Sequence, residues 1–383
     1  MKKKSFNPLL FLASLGAGGI SVMPFSLLQY NFPHGKGLIK ISDIVMSGLG
    51  LPQQVLMYFL YAVMIFFTIM HLVLTVVFLA KLFGWLGSAE QKEMSGNPLK
   101  NSALVTPFLS LAMTMNVFIA PVRFFIPSFA NNLQAFMLPA VIVWSVLWLA
   151  LLITEIRLLK VSFVKGFDLD KINFGWLLHP FAIGMVTVTG SGIAAMAKNP
   201  NVAHFAAFLS MITFSMGLFL LSVKMVTLFK SHFNADGLPE KQFMPSFLIV
   251  VPNVTLYALT AFRLGHYYEH QFGVHLPGYF TAVIMLSFAF EIWYLLFGLA
   301  LMKDYFKEHF FKKEFYVSQW GFVCPVVAFG VLGSFANNMF VPNPFFYTAI
   351  VAAIVIASLL FFKLFIGQLV CSGLMKDKNM NCS

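Results

Sequence analysis

Three observations predict that this chain folds as an all-α integral membrane protein with ten transmembrane helices. They are a shortage of charged residues, a series of long apolar runs, and basic residues placed between those runs. Charged residues make up 10% of the 383 positions and hydrophobic residues 59%, whereas soluble globular domains carry roughly 25% charged residues. Several uncharged runs exceed the roughly 20 residues that a helix needs to cross a bilayer. The composition therefore excludes a soluble enzyme, a disordered chain and an outer-membrane barrel.

The apolar runs divide the chain into ten candidate spans. They cover about 6–30, 52–81, 101–123, 134–156, 174–197, 202–229, 243–263, 277–302, 317–339 and 344–370. The first run is too long for the apolar part of a signal peptide, so we interpret it as an uncleaved span. Short connections after most odd-numbered spans predict five helical hairpins within one membrane domain, residues 1–383. The hairpins cover about 6–81, 101–156, 174–229, 243–302 and 317–370.

The basic residues predict the orientation of the chain in the membrane. Of the 25 Lys and Arg residues, 20 lie at the amino terminus, after even-numbered spans or at the carboxyl terminus, including Lys2–Lys4 and Lys313. Those on the opposite side are Lys36, Lys40, Arg123, Lys198 and Arg263. Because cytoplasmic loops are enriched in Lys and Arg, both termini are predicted to be cytoplasmic. The net charge of +11 belongs to these loops and does not indicate a nucleic-acid partner.

Proline recurs at a fixed period along the chain. Pro107, Pro180, Pro252 and Pro325 are 73, 72 and 73 residues apart, each in an odd-numbered span, and Pro24 occupies the corresponding place in the first span. This spacing indicates five copies of one two-helix unit. Proline within a helix leaves a carbonyl without its N–H partner and kinks the helix, and in lipid that carbonyl needs another partner. Five kinks in register favour five odd helices around a common interior, although single prolines are often simply tolerated in membrane helices.

The remaining residues of the odd spans support a narrow central pore. Their interiors contain no Lys, Arg, Asp or Glu but many Gly, Ser and Thr, whereas the even spans are rich in Leu, Val and Phe. An inner ring of helices within an outer ring would explain this difference. Five neighbouring helices about 8–10 Å apart leave a lumen only a few ångströms in radius. Such a lumen suits a small, partly dehydrated ion.

The ninth span carries the most specific local motif, with Trp320, Gly321 and Phe322 followed by Cys324 and Pro325. Together with the plan of five hairpins, it resembles the tellurite-resistance/dicarboxylate transporter family, which includes TehA-like bacterial proteins and the slow-type anion channels of plant guard cells. The resemblance implies a homotrimer of independent pores in a bacterial inner membrane. In the family an aromatic plug before the ninth-span proline closes the pore. Cys324 stands at that position here, and a thiol is too small to occlude the lumen.

Other side chains next to the helix prolines are therefore candidates for the gate. Phe25, Phe108 and Phe181, each directly after its proline, are candidates for a substitute constriction, or they pack between helices. The residues before the prolines should lie at the same level, and they are Met23, Thr106, His179, Val251 and Cys324. A histidine at a constriction gains positive charge on protonation, so we hypothesise acid-enhanced anion conductance through His179. The alternative is a neutral histidine hydrogen-bonded between helices.

Three further charged residues are candidates for function. Glu291 is an acid deep within the eighth span, where a carboxylate is a candidate for proton coupling or for a hydrogen bond at a protomer interface. Arg123 and Arg263 near the outer ends of odd spans would attract anions or serve as interfacial anchors. His266, His270 and His275 in the outer loop are interpreted as interface residues and not as metal ligands. No phosphate-binding loop, paired carboxylates or nucleophile–base pair occurs in the odd spans, so we expect no enzyme activity, cofactor or metal.

These observations favour an anion channel or channel-like transporter for small inorganic or carboxylate anions. Conduction requires binding that is weak enough to release the ion, which an uncharged lumen provides. The alternative is a proton-coupled carrier of C4-dicarboxylates or of oxyanions such as tellurite or sulfite. A structural or sensory membrane protein without flux is disfavoured by the five registered prolines. The three cysteines, two of them near the carboxyl terminus, predict no disulfide framework.

Overall fold

The computed structural model describes residues 6–35, 37–312, 314–340, 342–375 and 380–382, so the basic residues Lys2–Lys4, Lys36 and Lys313 lie outside the described residues. Within the described part, ten helices are long and apolar enough to cross a membrane. They are α1 Pro8–Asn31, α2 Leu51–Trp85, α3 Asn101–Phe125, α4 Leu133–Lys165, α5 Phe174–Met196, α6 Pro200–Asn234, α7 Met244–Phe272, α8 Pro277–Leu301, α9 Val317–Met339 and α10 Pro344–Cys371. The predicted all-α membrane fold is confirmed.

The connections contain only short elements. Short helices cover Ile41–Asp43, Met46–Gly48, Ala89–Ser95, Pro127–Asn131, Leu169–Lys171, Lys303–Tyr305 and Phe306–Phe310. Two two-residue strands, β1 Glu314–Phe315 and β2 Asn381–Cys382, pair in parallel. This pairing returns the carboxyl-terminal segment to the start of α9.

The ten helices form two concentric rings. Each odd-numbered helix contacts the next one, in the order α1, α3, α5, α7, α9 and back to α1. Each even-numbered helix packs outside its own hairpin partner and also contacts the following inner helix, so α10 reaches α1. In the apolar window of every inner helix at least 50% of residues are buried, against at most 39% in every outer helix. The inner ring is therefore shielded from lipid by the outer ring.

Four of the five repeated prolines lie at a junction and not in the middle of an α-helix, which corrects the prediction of five mid-helix kinks. α3, α5, α7 and α9 each begin with a short 3-10 segment, and Pro107, Pro180, Pro252 and Pro325 lie within the first turn of the α-helix that follows. The first turn tolerates proline because its N–H groups have no helical partner. Among these five prolines, only Pro24 lies in the interior of an α-helix.

Glycines let the two rings approach closely. A Cβ atom on Gly190 of α5 would overlap the ring of Trp144 from α4 and would lie 2.5 Å from Oγ of Ser210 in α6. Trp144 is held there because its indole N–H donates to the carbonyl of Val186 over 2.8 Å. A Cβ atom on Gly217 of α6 would similarly overlap the hydroxyl of a tyrosine in α7. Small residues at helix interfaces are what allow membrane helices to pack in this way.

A disulfide joins Cys371 at the end of α10 to Cys382 in β2, with their Cα atoms 5.4 Å apart. This differs from the expectation that the cysteines form no disulfide framework. The pairing of β1 with β2 brings Cys382 back to the end of α10, and the spacing of the cysteines in the sequence carries no sign of that return. Cys324 remains a free thiol.

We expect Gly190→Ala to lower the thermal stability of the protein in detergent. The added methyl group overlaps Trp144, and overpacking of a tight site typically costs about 1–3 kcal/mol. The matched control is Gly84→Ala near the end of α2, where nothing lies within 4 Å of the added Cβ. Thermal unfolding followed by size-exclusion chromatography should show a lower midpoint for Gly190→Ala only, and equal midpoints would contradict the packing described above.

Candidate functional site

The inner ring encloses a cavity of about 830 Å³. Its wall comes from all five inner helices, and at their carboxyl-terminal ends it also includes Leu38, Leu133, Gln134 and Lys198. At about 30 Å³ per water molecule, this volume exceeds what a lumen for one small ion requires. Small residues that face inward contribute to this space. Those lining the cavity include Gly19, Gly192, Ala195 and Ala328.

The cavity lining stops before the amino-terminal ends of the inner helices. Its residues nearest to those ends in α1, α5, α7 and α9 are Leu15, Phe181, Pro252 and Cys324. Beyond this level the inner helices contact each other directly. The hydroxyl of Thr106 in α3 donates to the carbonyl of Pro8 in α1 over 2.6 Å. The side of the cavity near Phe181 and Cys324 is therefore its narrow end.

The charged side chains that line the cavity are all basic. They are Arg263 of α7 and Lys198 after α5, accompanied by His266 and His270, and none of the described lining residues is Asp or Glu. Arg263 donates from Nη1 to the carbonyl of Val188 in α5 over 2.6 Å. That bond uses one of the five N–H donors of a guanidinium group. A cavity with fixed positive charge and no carboxylate favours anions over cations.

Several residues predicted at the gate lie in the cavity wall. Phe25, Phe181 and Cys324 line the cavity. Pro252, predicted as a helix kink, and Arg263, predicted to attract anions, line it as well. Phe25 and Phe181 follow Pro24 and Pro180 in their helices, so the structure brings these two aromatic side chains to one cavity together with Cys324. The lining is mostly apolar, with a few polar side chains. One of them is Asn116, whose amide donates to the hydroxyl of Thr189 over 2.7 Å.

Other predicted gate residues lie outside the described lining. Met23 is fully buried against Gly330 of α9, and Val251 is also fully buried. Thr106 uses its hydroxyl on backbone carbonyls, and Phe108 is half-buried at the edge of the apolar core. The expectation that all residues before the prolines share one level of the pore does not hold. Pro24 lies farther along its helix than the other prolines, so Met23 reaches Gly330, six residues after Cys324.

His179 faces away from the cavity, in contrast to its predicted place at the constriction. Its Nδ1 lies 2.7 Å from Oε2 of Glu155 in α4, and its Nε2 lies 3.2 Å from Oδ1 of Asn101 in α3. Residues two apart on a helix point in nearly opposite directions. Since Phe181 lines the cavity, His179 is directed toward the outer ring.

Arg123 is also buried away from the cavity. Its Nε donates to the carbonyl of Ile119 over 3.0 Å, and its Nη2 donates to the carbonyl of Ile39 in the loop after α1. Its guanidinium lies 5.9 Å from the centre of the Phe25 ring. These contacts join the loop to α3. Arg123 therefore acts as an anchor and is not a freely exposed side chain that attracts anions.

Glu291 lies directly behind the cavity wall. Its side chain is fully buried in α8, and Oε1 accepts a hydrogen bond from the hydroxyl of Thr255, a residue of α7 that lines the cavity. Among the described residues, Oε2 of Glu291 has no hydrogen-bond partner. A single hydroxyl group therefore separates this carboxyl from the cavity.

Sequence reasoning missed a second set of buried polar residues. Glu155 is fully buried, Lys224 of α6 is 2% exposed and Asn101 is fully buried. Glu155 and Lys224 lie toward the polar ends of their spans. Charged residues are common there, so there was no reason in the sequence to predict a functional role for them. One feature of the sequence could have identified them. Glu155 and Lys224 each interrupt the apolar stripe that forms the buried side of their helix.

We expect Cys324 to react faster with an anionic thiol reagent than with a cationic one of similar size. Sulfonatoethyl and trimethylammonioethyl methanethiosulfonates differ chiefly in charge, and the positive cavity should favour the sulfonate by about tenfold. The rate of labelling is measured by mass spectrometry, with Cys324→Ser as the unlabelled control. A faster reaction of the cationic reagent would be inconsistent with an electropositive cavity.

Comparison with known proteins agrees with this geometry. The sequence profile of the SLAC1 family, described as voltage-dependent anion channel, matches residues 5–369. No curated protein matches the chain. The match spans nearly the whole chain and includes all ten helices apart from the last residues of α10. The chain therefore belongs to the SLAC1 family of voltage-dependent anion channels.

Proposed function

We propose that this protein is a channel for small anions and that the anions pass through the cavity inside the inner ring. Membership of the SLAC1 family makes it an anion channel or transporter. The observation that supports a path through the cavity is its charge, since Arg263 and Lys198 line it and none of the described lining residues is acidic. Two isolated cations among apolar and hydroxyl groups attract an anion without holding it tightly, as conduction requires.

The gate in this proposal is the narrow end of the cavity. Phe181 and Cys324 line the cavity there, and a movement of the phenylalanine would widen the path where the small thiol leaves room. Phe25 lines the cavity farther along α1, beside Phe124 at the end of α3. Beyond this level, inner helices contact each other through Thr106 and Pro8. Opening therefore requires the amino-terminal segments of the inner helices to separate.

The setting of the channel follows the sequence analysis. We propose a single membrane domain in a bacterial inner membrane, with both termini cytoplasmic, so that the amino-terminal ends of the inner helices face the cytoplasm. We also propose a homotrimer in which each chain has its own pore. The outer ring exposes large apolar side chains such as Val146, Phe219 and Leu286. This supports contact of the outer ring with lipid or with another subunit.

We expect Arg263→Gln to reduce anion current severalfold and to weaken the selectivity for anions over cations. The neutral side chain removes one of the two fixed positive charges that line the cavity, and field focusing by such charges commonly changes ion concentration by tenfold or more. Single-channel conductance and reversal potential in a planar bilayer under a chloride or nitrate gradient are the measurements. Arg157→Gln, on the exposed side of α4, is the matched control. Unchanged selectivity in Arg263→Gln would exclude the proposed ion path.

A proton-coupled carrier of C4-dicarboxylates or oxyanions is the second candidate, and Glu291 is the observation that favours it. A fully buried carboxyl group with one oxygen unpartnered among the described residues, one hydroxyl away from the cavity, is a suitable place for a transported proton. In this alternative, protonation of Glu291 accompanies the movement of the anion past Thr255.

We expect Glu291→Gln to leave anion current through a channel largely intact. The amide keeps the volume and the contact with Thr255 but cannot exchange a proton, so a carrier would lose proton-driven uptake. The measurement is uptake of labelled malate or sulfite into liposomes with and without a proton gradient, beside the planar-bilayer current. If the protein shows no current and Glu291→Gln loses proton-driven uptake, the carrier is the correct function and the channel is excluded.

A further inference from the structure

A cluster of buried charged and polar side chains surrounds the start of the α-helical part of α5, outside the cavity. His179 of α5, Glu155 of α4 and Lys224 of α6 are each at most 2% exposed, and Asn101 of α3 is fully buried. Lys224 interacts electrostatically with both Glu155 and His179. The outer helices α4 and α6 and the inner helix α5 thus bring one acid and two bases together on the side of α5 that faces away from the cavity. The proposed ion path uses none of these groups.

The contacts of His179 fit a doubly protonated ring. Nδ1 lies 2.7 Å from Oε2 of Glu155, and Nε2 lies 3.2 Å from Oδ1 of Asn101. The amide of Asn101 is turned this way because its Nδ2 donates to the carbonyl of Leu158 at 3.5 Å. Both ring nitrogens therefore face oxygen acceptors. Only the imidazolium form has two N–H donors, so a neutral ring would leave one of these contacts unmade.

His71 provides an internal contrast. It is also fully buried, with Nδ1 2.7 Å from the carbonyl of Ser14 and Nε2 2.8 Å from the hydroxyl of Thr114. A hydroxyl group can donate as well as accept, so a neutral ring satisfies both contacts of His71. The two buried histidines therefore differ in the protonation state that their partners favour.

The cluster is attached to the backbone at the proline of α5. Pro180 has no N–H to offer the carbonyl of Trp176, four residues earlier. Nζ of Lys224 donates to that carbonyl over 3.1 Å and lies 4.4 Å from the centre of the Trp176 ring. From the other side, the hydroxyl of Tyr257 in α7 donates to the carbonyl of Pro180 over 2.7 Å. A change in the protonation or hydrogen bonding of the cluster therefore affects the segment of α5 that carries Phe181.

We propose that Glu155, His179 and Lys224 form a proton-binding site that controls anion flux from behind the pore wall. The groups that face His179 are Glu155 from α4, Lys224 from α6 and Asn101 from α3, and α7 contributes Tyr257 beside Pro180. The charges of an ionised Glu155 and a protonated Lys224 offset each other. A proton on His179 therefore gives the cluster one net positive charge, and its loss removes that charge together with one hydrogen bond to α5.

The added charge acts on the narrow end of the cavity, which Phe181 lines. A cluster behind one helix is about 10 Å from the pore axis. At that distance and an effective dielectric constant of about 20, one unit charge changes the occupancy of the pore by an anion by roughly tenfold. Anion conductance should therefore rise by about that factor when the pH falls and His179 binds its proton. The site needs no contact with the permeating ion.

Two measurements on the full-length protein test this proposal. The first is NMR of protein labelled with ¹⁵N-histidine in lipid nanodiscs, with the signal of His179 assigned by its loss in His179→Gln. The ring should change between the neutral and imidazolium forms between about pH 5 and 8. The second is the ratio of anion conductance at about pH 5.5 and about pH 7.5 in planar bilayers, expected to be about tenfold in the unmodified protein.

Variants separate the cluster from the cavity. His179→Gln and Glu155→Gln should each reduce that conductance ratio to below about twofold, whereas His71→Gln, the matched buried histidine, should leave it unchanged. A ratio that persists in His179→Gln would overturn the proposal, and so would a ring of His179 that keeps one protonation state across this range. The effect on current rests on the proposed channel function, but the NMR titration does not. Absence of current at every pH would therefore refute the channel while the ring titration still decides on the proton site.

Discussion

The shielding of five inner helices from lipid is the constraint on which the rest of the structure depends. Backbone and side-chain polar groups need partners inside a bilayer, and the inner helices carry most of the small and hydroxyl-bearing residues that line the cavity. The outer helices make this possible by covering them and by supplying partners, as when Thr187 of α5 donates to Thr213 of α6 over 2.8 Å. Without the outer ring, polar groups on the outward faces of the inner helices, such as Thr187 and His179, would be exposed to hydrocarbon.

The distribution of charge follows from this two-ring arrangement. Basic side chains line the cavity, whereas the buried acids Glu155 and Glu291 lie between the rings, behind the wall. An anion in the cavity therefore meets cations directly and carboxyl groups only through helices or hydroxyls. In the proposed channel, the position of the acids outside the path keeps their negative charge away from the permeating ion. In the proposed regulation, His179 acts on the pore from behind its wall and does not obstruct it.

Much of the architecture could be predicted from the order of residues alone. The ten spans appear in the sequence as apolar runs, and their bounds agree with the structure to within a few residues at most ends. α4 and α7 each continue nine residues beyond their predicted ends, because these helices extend into polar residues such as Arg157 and Glu269. Phe181 and Cys324 lie near one end of the cavity, whereas Phe25 lies farther along α1, beside Phe124 at the end of α3. The proline repeat therefore did not predict the height of Phe25. Side-chain direction was harder, and His179, Val251 and Met23 were assigned to the pore only because they precede a proline.

The sequence by itself determined the number of spanning helices, the hairpin plan and the five-fold repeat, because hydrophobicity and proline spacing are properties of consecutive residues. Only the tertiary structure decided which face of each helix meets the cavity and which buried groups meet one another. Glu155, His179 and Lys224 are up to 69 residues apart in the chain, and no local pattern relates them. Their contact depends on how α4, α5 and α6 are rotated, and the close packing of Gly190 against Trp144 and Ser210 is one of the contacts between these helices.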